Sequence, residues 1–273
     1  MTINIKLPSI IDDGRLDWAF SLLHESRNIR KPREEIRIDW SAVQEISPAG
    51  YAILCCLFDS FVEQRNKIKC VFCKKIFHNA PVIQNLMDTG KFPSLPSPDI
   101  HNMETTDTIL KGETSIDILF QERFREKFAS LLSEELAFDC LLILNELMQN
   151  SFDHSTAERY YIYAGMWKNE FHAGVLDMGI SIPAKMEQRY TCNDDLEYLE
   201  LALKEGTSTR RTRTGGVGLA YFFHFLKRNG GKLTIISRDA QVRRYFKTRR
   251  SQKNMLKHTL HGTWCFARFT LGS

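Results

Sequence analysis

The chain has 273 residues, of which 43% are hydrophobic and 26% charged, and its formal net charge is +4. This composition is typical of a globular protein with one large domain or two smaller ones, and so small a net charge does not by itself indicate nucleic-acid binding. The seven cysteines are an odd number, which fits buried thiols in a reducing compartment better than a disulfide framework. No apolar run reaches transmembrane length and the first residues lack a signal-peptide core, so we expect a cytoplasmic protein without a membrane segment.

Residues 1–92 carry the pattern of an α/β domain. Apolar residues alternate where strands are expected, recur at helical spacing elsewhere, and a proline at a favoured position opens the second helix. The predicted elements are, in order, strand 3–7, helix 16–29, strand 36–40, a helix from Pro48, strand 67–73 and helix 82–87. Strands alternating with helices indicate a mixed or parallel sheet with helices packed on it.

The segment 39–50, with the sequence DWSAVQEISPAG, resembles part of a STAS domain, the anti-sigma-factor-antagonist fold. In that family an Asp-Ser turn opens a helix, and regulatory members are phosphorylated on its serine. Here Ser47 stands in the place of the aspartate and Pro48 in the place of the phosphoacceptor. Because proline accepts no phosphate, the resemblance implies a docking or dimerisation domain. Its expected partner is a STAS or other regulatory protein, or a second copy of the chain.

Three prolines between residues 93 and 98, followed by a polar stretch, mark the predicted domain boundary. This composition is typical of an extended, semi-rigid connection, so we predict a linker over 93–113. Apolar residues at helical spacing resume at Ile116 and continue to Leu131. They predict a long helix at the start of a second domain, over 114–273.

A further helix is predicted over 133–154, with apolar residues at helical spacing on a core-facing side. On the other side, Glu146 and Asn150 are four residues apart and Asp153 follows three later, so the three polar groups share one patch. The patch is either the ordinary polar face of an amphipathic helix or a site that holds a hydrated metal ion and activates a water.

Two alternating runs at 160–166 and 171–177 predict a hairpin, whose second strand ends in Asp177 with Gly179 beyond it. A glycine after an acidic strand end lets another group approach the backbone closely. Residues 215–218, Gly-Gly-Val-Gly, then open a helix after three arginines. Exposed N–H groups and the helix dipole favour an anion there, although glycines also serve turns and packing. The motif is neither a Walker P-loop nor a Rossmann fingerprint.

The succession of these features resembles the GHKL ATPase superfamily, which includes gyrase, the heat-shock chaperone, histidine kinases and mismatch-repair ATPases. A Glu-x-x-x-Asn helix, a strand ending in Asp-x-Gly, a polar lid, a Gly-x-Gly helix start and a late Gly262-Thr263 follow one another. The resemblance covers about residues 114–271. Within the superfamily, the chain closely resembles the branch of anti-sigma-factor kinase-like ATPases. It implies a Bergerat-type α/β sandwich, a mixed sheet packed on helices, with ATP and Mg²⁺ as cofactors.

At the metal end of such a pocket, the resemblance implies that Asn150 binds Mg²⁺ and bridges it to the triphosphate. Glu146 would orient or deprotonate the attacking water or hydroxyl, and Asp153 would help to shape the pocket wall. Magnesium prefers oxygen ligands, retains several waters and rests on substrate phosphates, so one carboxamide oxygen can suffice from the protein.

At the base end, the resemblance implies that Asp177 accepts a hydrogen bond from the adenine amino group and that Gly179 leaves room for the ring. Thr263 would reach the water network beside the base. Ser181 stands where the family usually has a second glycine, and it adds a hydroxyl near the nucleotide. The further ATP contacts implied in the lid and in the helix after it are Thr209, Gly216, Gly218 and Leu219.

Together the two resemblances imply a cytoplasmic Mg-ATP-dependent regulatory protein, either an ATPase or an anti-sigma-type serine/threonine kinase with a STAS-like docking domain. The alternative is a non-catalytic switch, in which ATP sets the lid conformation and the STAS-like domain recruits a partner. A histidine autokinase is disfavoured, because no dimerising two-helix segment with an exposed histidine precedes the ATP domain. The basic segment 243–257 is interpreted as a solvated hairpin, so we expect no nucleic-acid partner.

Overall fold

The computed structural model describes residues 2–28, 35–63, 67–71, 103–110, 118–154, 156, 159–204 and 217–271. Over these ranges the chain is a mixed α/β protein, as the sequence predicts. Its helices there are α1 (Asp17–Asn28), α2 (Pro48–Glu63), α3 (Ile118–Phe128), α4 (Glu134–His154), α5 (Ile182–Met186), α6 (Asp195–Ala202) and α7 (Val217–Arg228). Its strands there are β1 (Thr2–Lys6), β2 (Ile10–Ile11), β3 (Glu35–Asp39), β4 (Glu45–Ile46), β5 (Lys67–Val71), β6 (Met103–Leu110), β7 (Arg159–Trp167), β8 (Glu170–Asp177), β9 (Lys232–Tyr245) and β10 (Arg250–Thr270). None of these described helices is long and apolar enough to cross a membrane.

The N-terminal part contains a parallel three-stranded sheet in the order β1-β3-β5, and β2 pairs with β4 beside it. β1 pairs with β3 in parallel, and β5 continues the sheet in the same direction. Parallel neighbours need a crossover connection, which α1 and α2 supply. The predicted alternation of strands and helices is therefore confirmed as far as residue 71. The helix predicted at 82–87 lies outside the described residues.

The turn before α2 is closed and buried. The Ser47 hydroxyl accepts a hydrogen bond from the N–H of Gly50 (3.0 Å), which caps the first turn of the helix. Ser47 has no exposed surface, and Pro48 is also buried. A Cβ on Gly50 would lie 2.1 Å from the carbonyl oxygen of Ile11. The turn that resembles the STAS phosphorylation turn is thus packed tightly against β2, and its hydroxyl already serves as a helix cap.

The larger sheet has the order β6-β7-β8-β10-β9, and each neighbouring pair described in it is antiparallel. The prediction of a mixed sheet for this domain is therefore wrong for the described strands. The reason lies in the connections, because a two-residue turn such as the one between β7 and β8 can join only antiparallel strands. In that turn Lys168 and Asn169 have φ values of 49° and 64°, as in a type I′ hairpin.

β6 forms one edge of this sheet and pairs with β7. It lies within residues 93–113, which the sequence predicts as a linker. Threonine and acidic residues fill most of its length, so the strand lacks the apolar alternation that reveals strands in a sequence. The larger sheet thus begins before the predicted start of the second domain.

β9 reverses direction within its own length. The N–H of Phe246, just after the strand, donates to the carbonyl oxygen of Gly231, just before it, at 3.0 Å. If the 14 residues of β9 were straight, the strand would separate these two flanking residues by about 50 Å. Arg238, at the middle of β9, has a φ of 53°, and the register of β10 is irregular opposite this point. The basic segment 243–257 is thus part of a folded-back β9–β10 hairpin, which confirms the predicted hairpin, although its first residues, 243–246, are half-buried rather than solvated.

The larger sheet is covered on both faces. Strand alternation sends Trp264 and Phe266 of β10 to one face, and Cys265 and Ala267 to the other. The first face packs against α1 and α2, and the ring of Phe20 lies 5.6 Å from that of Trp264 between centroids. The second face packs against α3, α4 and α7. The N-terminal part therefore shares one hydrophobic core with the larger sheet.

A loop of the N-terminal part also inserts a carboxylate at the margin of this sheet. Asp13 is buried, and its Oδ2 lies 3.1 Å from Nζ of Lys232 at the start of β9. Arg243 donates to the main-chain carbonyls of Asp13 and Gly14. Burial raises the pKa of Asp13, but Lys232 and Arg268 beside it outweigh burial and hold that pKa below its ordinary value. Charge as well as apolar contact thus joins the two parts.

Candidate functional site

α4 carries the residues predicted for the metal end of the site. Leu144 and Met148 on its core side have no exposed surface, so the helix is amphipathic as predicted. Glu146 and Asn150 are half-buried and lie one helical turn apart. Asp153 lies in the last turn of the same helix. α4 packs on β7 and β8, so these residues belong to the helix beside the strand that carries the base-end residues.

Asp177 is the last residue of β8, and only 1% of its surface is exposed. Its Oδ1 accepts a hydrogen bond from the N–H of Gly179 at 3.0 Å, which fixes the turn that follows the strand. β10 pairs with β8 so that Thr263 lies directly opposite Asp177. Residues directly opposed on antiparallel strands have side chains on the same face, with Cβ atoms about 5 Å apart. Two site residues predicted from distant parts of the sequence are thus neighbours.

Asp177 and Thr263 lie on the face of the sheet that packs against α4. Val175 and Cys265, two residues along each strand, belong to the core between the sheet and α3, α4 and α7. Gly262 precedes Thr263 with a φ of 102°, and a Cβ there would lie 2.1 Å from the carbonyl oxygen of Asp177. The Gly-Thr pair of the sequence therefore has a steric origin, since only glycine permits this approach of β10 to the end of β8.

Ser237 is a site residue that the sequence analysis missed. It has no exposed surface and lies opposite Thr263 in the β9–β10 pairing. Its Oγ is 2.8 Å from Oγ1 of Thr263, 3.0 Å from the carbonyl oxygen of Gly262 and 2.8 Å from the N of Ile182. In the sequence it only ends the strand-like run Leu-Thr-Ile-Ile-Ser, and its contacts follow from a register that the sequence does not reveal.

Ser181 is buried, and its hydroxyl accepts a hydrogen bond from the N–H of Ala184 at 3.2 Å. It is thus the N-cap of α5, a role that glycine fills less well than serine. A serine at this position therefore has a local explanation, namely the short helix that begins immediately after it.

Arginines of β9 hold the segment after Asp177 against the sheet. Nε of Arg238 donates to both carboxylate oxygens of Asp195 on α6 at 2.9 and 2.7 Å, and Glu187 accepts from the same guanidinium. Burial raises the pKa of Asp195, but the hydrogen bonds from Arg238 and from the N–H of Asp239, together with the charge of Arg238, outweigh it and leave the pKa below its usual value. Arg244 makes a second ion pair with Glu200. α5 and α6 are therefore fixed to the strand that carries Ser237.

The remaining predicted residues lie in or near α7. Gly218 and Leu219 lie in the first turn of that helix, while Thr209 and Gly216 lie outside the described residues. α7 is tied to α4 because the Tyr221 hydroxyl donates to Asp139 at 2.7 Å. Throughout the described ranges, no group of three or more His, Cys, Asp or Glu side chains is arranged to hold a metal ion.

The chain matches no protein-family model, and no curated protein is similar to it in sequence.

Proposed function

We propose that the chain is a cytoplasmic Mg-ATP-binding regulatory protein with a GHKL-type ATP domain and a STAS-like docking domain, acting as an ATPase or a serine/threonine kinase. The observation that carries the proposal is the pairing of Asp177 with Thr263 at the end of the larger sheet, on the face that packs against α4. These are the two residues that the sequence resemblance assigns to the base, and they come from strands distant in sequence.

The chemistry of this end suits an amino group. A carboxylate offers hydrogen-bond acceptors only, and an exocyclic amino group is a donor. Gly179 has no side chain to occupy the space beside the Asp177 carboxylate, and Gly262 lets β10 approach the same point. The 6-amino group of the ATP base would donate a hydrogen bond to the carboxylate of Asp177, with Thr263 beside it.

The chemistry of α4 suits the metal and the reacting water. Asn150 would offer its carboxamide oxygen to Mg²⁺, which neutralises charge on the phosphates when it is bound. Glu146, one turn away, would orient the attacking water or hydroxyl and take its proton.

The phosphates would lie at the start of α7. Gly218 and Leu219 lie in its first turn, where backbone N–H groups and the helix dipole favour an anion. Thr209 and Gly216, just before the helix, are proposed to complete the phosphate contacts, and Asp153 to line the wall near the end of α4.

The N-terminal part would transmit or receive the regulatory signal. α2 packs directly on β7 and β8, on the face opposite the side chain of Asp177. A shift of β8 on nucleotide binding would therefore reach α2 without any intervening element. This contact favours, as a second candidate, a switch that binds ATP without turning it over. In both cases the buried Ser47 turn is not a modification site, and a protein partner would bind elsewhere on the domain.

Nucleotide binding and turnover test the proposal separately. Isothermal titration calorimetry with ATP and Mg²⁺ should show binding by the wild type and loss of binding by Asp177→Ala. Glu146→Ala should retain binding, while release of phosphate from γ-labelled ATP, or labelling of a protein acceptor, should fall at least about a hundredfold, the usual contribution of a general base. Glu122→Ala, which removes an exposed carboxylate on α3, is the matched control and should change neither property.

The outcomes separate the candidates. Binding without turnover in the wild type would favour the switch. Turnover unaffected by Glu146→Ala would refute the role of Glu146, and full ATP affinity in Asp177→Ala would refute the site itself.

A further inference from the structure

Ser237 makes three hydrogen bonds with a single hydroxyl at the base end of the site. Its Oγ lies within 3.0 Å of the N of Ile182, the carbonyl oxygen of Gly262 and Oγ1 of Thr263. All three partners belong to segments that converge at the end of β8, and Ser237 itself is fully buried. The hydroxyl therefore joins β9, β10 and the start of α5 at one point.

The three contacts together determine which way the proton of Thr263 points. A serine hydroxyl has one proton to donate and two lone pairs that accept. The carbonyl oxygen of Gly262 only accepts, so it takes the proton of Ser237, and the N–H of Ile182 only donates, so it takes one lone pair. The contact with Thr263 then requires the threonine hydroxyl to donate to the remaining lone pair. Thr263 therefore donates its only hydroxyl proton to Ser237, so its oxygen can only accept a hydrogen bond from a ligand.

We propose that Ser237 is a positioning residue that makes the base end of the nucleotide site accept hydrogen bonds only, and thereby selects a purine with a 6-amino group. This inference rests on the proposed function, since it concerns the same site. Asp177 and Thr263 lie side by side on one face of the sheet, and both present acceptors. A 6-amino group carries two N–H donors and satisfies both. A 6-oxo group would bring its lone pairs against two acceptors.

A purely structural role for Ser237 makes a different prediction. Loss of its hydroxyl would then lower the stability of the β9–β10–α5 junction and weaken all nucleotides equally. A positioning role instead changes the ratio of affinities, because Thr263 regains a rotatable proton that it can donate to a 6-oxo group.

The test compares ADP with IDP, which carries a 6-oxo group in place of the 6-amino group, by calorimetry in the presence of Mg²⁺. The wild type should prefer ADP. In Ser237→Ala the ratio of the IDP and ADP dissociation constants should fall about five- to tenfold, the equivalent of one neutral hydrogen bond. Thr234→Val is the matched control, since it removes another fully buried hydroxyl of β9 from the opposite face of the sheet, and it should leave the ratio unchanged.

Thr263→Val tests the same inference while it keeps the Ser237 hydroxyl and its hydrogen bonds to Ile182 and Gly262. It should lower the ratio by a similar factor, and adding Ser237→Ala should change the ratio no further. If Ser237→Ala is folded and binds ADP with the wild-type ratio, the inference is overturned and the proposed function stands. If Ser237→Ala does not fold, an unchanged ratio in Thr263→Val overturns the inference. If the wild type binds neither nucleotide, both proposals fall.

Discussion

Asp13 and Lys232 form a buried ion pair that joins the N-terminal part of the chain to the larger sheet. Oδ2 of Asp13 is 3.1 Å from Nζ of Lys232, and the two side chains are 3% and 9% exposed. Nη1 of Arg268 lies 3.9 Å from the other carboxylate oxygen. Removing one partner of such a pair leaves the other charge buried without compensation, which costs more than the pair itself contributes. The pair therefore favours one arrangement of the two parts over others.

Asp13→Asn should lower the free energy of unfolding by about 3–5 kcal/mol at pH 7, because Lys232 would remain buried without its counter-charge. Urea unfolding followed by circular dichroism measures this loss. Asp17→Asn, which neutralises an exposed aspartate at the start of α1, is the control and should cost less than about 1 kcal/mol. An equally small loss in Asp13→Asn would mean that the ion pair does not stabilise the folded chain.

The same ion pair should make the free energy of unfolding depend on pH in the acidic range. The pKa of Asp13 is lower in the folded chain than its ordinary value of 3.8. Its contribution is therefore fully present above about pH 4 and is lost as pH falls through the folded value. Acid unfolding of the wild type should show this loss, and Asp13→Asn should lack it. A steeper acid transition in the variant than in the wild type would contradict the prediction.

Protonation of His172 should destabilise the folded chain at a higher pH than protonation of Asp13 does. Burial lowers the pKa of His172 from 6.5 to about 4, and its side chain is 1% exposed. Between these values the unfolded chain binds a proton that the folded chain does not, so stability falls as pH falls from 6.5 to 4. The difference between the two pKa values corresponds to about 3 kcal/mol.

Unfolding free energies measured between pH 7 and 4 should therefore depend less on pH in His172→Gln than in the wild type. His224→Gln removes an exposed histidine of α7 and should keep the wild-type slope. An unchanged slope in His172→Gln would assign the pH dependence to other groups.

The elements that the sequence predicts are those whose patterns are local. The hairpin of β7 and β8, the amphipathic α4 and the helix opening at Pro48 all follow from periodicity or turn residues within a few positions. β6 was not predicted because most of its residues are polar, so it lacks the alternation of apolar and polar residues that indicates a strand. The prediction of mixed strand directions in the larger sheet was wrong because these directions depend on how strands distant in sequence meet, and only the β7–β8 and β9–β10 hairpins fix them locally.

The site residues likewise divide into those that a local sequence pattern reveals and those that only the strand register places. Asp177 and Gly179 interact within one turn, so their motif is visible in the sequence. The position of Thr263 beside Asp177 was implied by a family resemblance and not by any local pattern. Ser237 has no motif at all, because its role comes from the register of β9 against β10. The Asp13–Lys232 pair was equally invisible, since it joins parts of the chain that the sequence suggests are separate domains.

Phe20→Ala should test the apolar contact between α1 and the sheet. Phe20 is 3% exposed and packs against Trp264, which has no exposed surface. Truncating a buried phenylalanine typically costs about 3–5 kcal/mol, so urea unfolding should show a loss of that size. Phe138→Ala removes the same side chain from a site that is 60% exposed and should cost less than about 0.5 kcal/mol. Similar small losses in both variants would mean that α1 does not pack on the sheet in solution.

Gly262→Ala should damage the site far more than the same change at Gly230. Both glycines have positive φ, 102° and 60°, but a Cβ at Gly262 would lie 2.1 Å from the carbonyl oxygen of Asp177, whereas at Gly230 its nearest neighbour is 3.8 Å away. Gly230→Ala should therefore cost only the left-handed backbone strain of about 1–2 kcal/mol. Gly262→Ala must also push β10 away from the end of β8, separating Thr263 from Asp177. Calorimetry on the folded fraction should show weaker ADP binding in Gly262→Ala than in Gly230→Ala, which should match the wild type. Equal ADP affinity in the two variants would show that the close approach of β10 to Asp177 is unnecessary for binding.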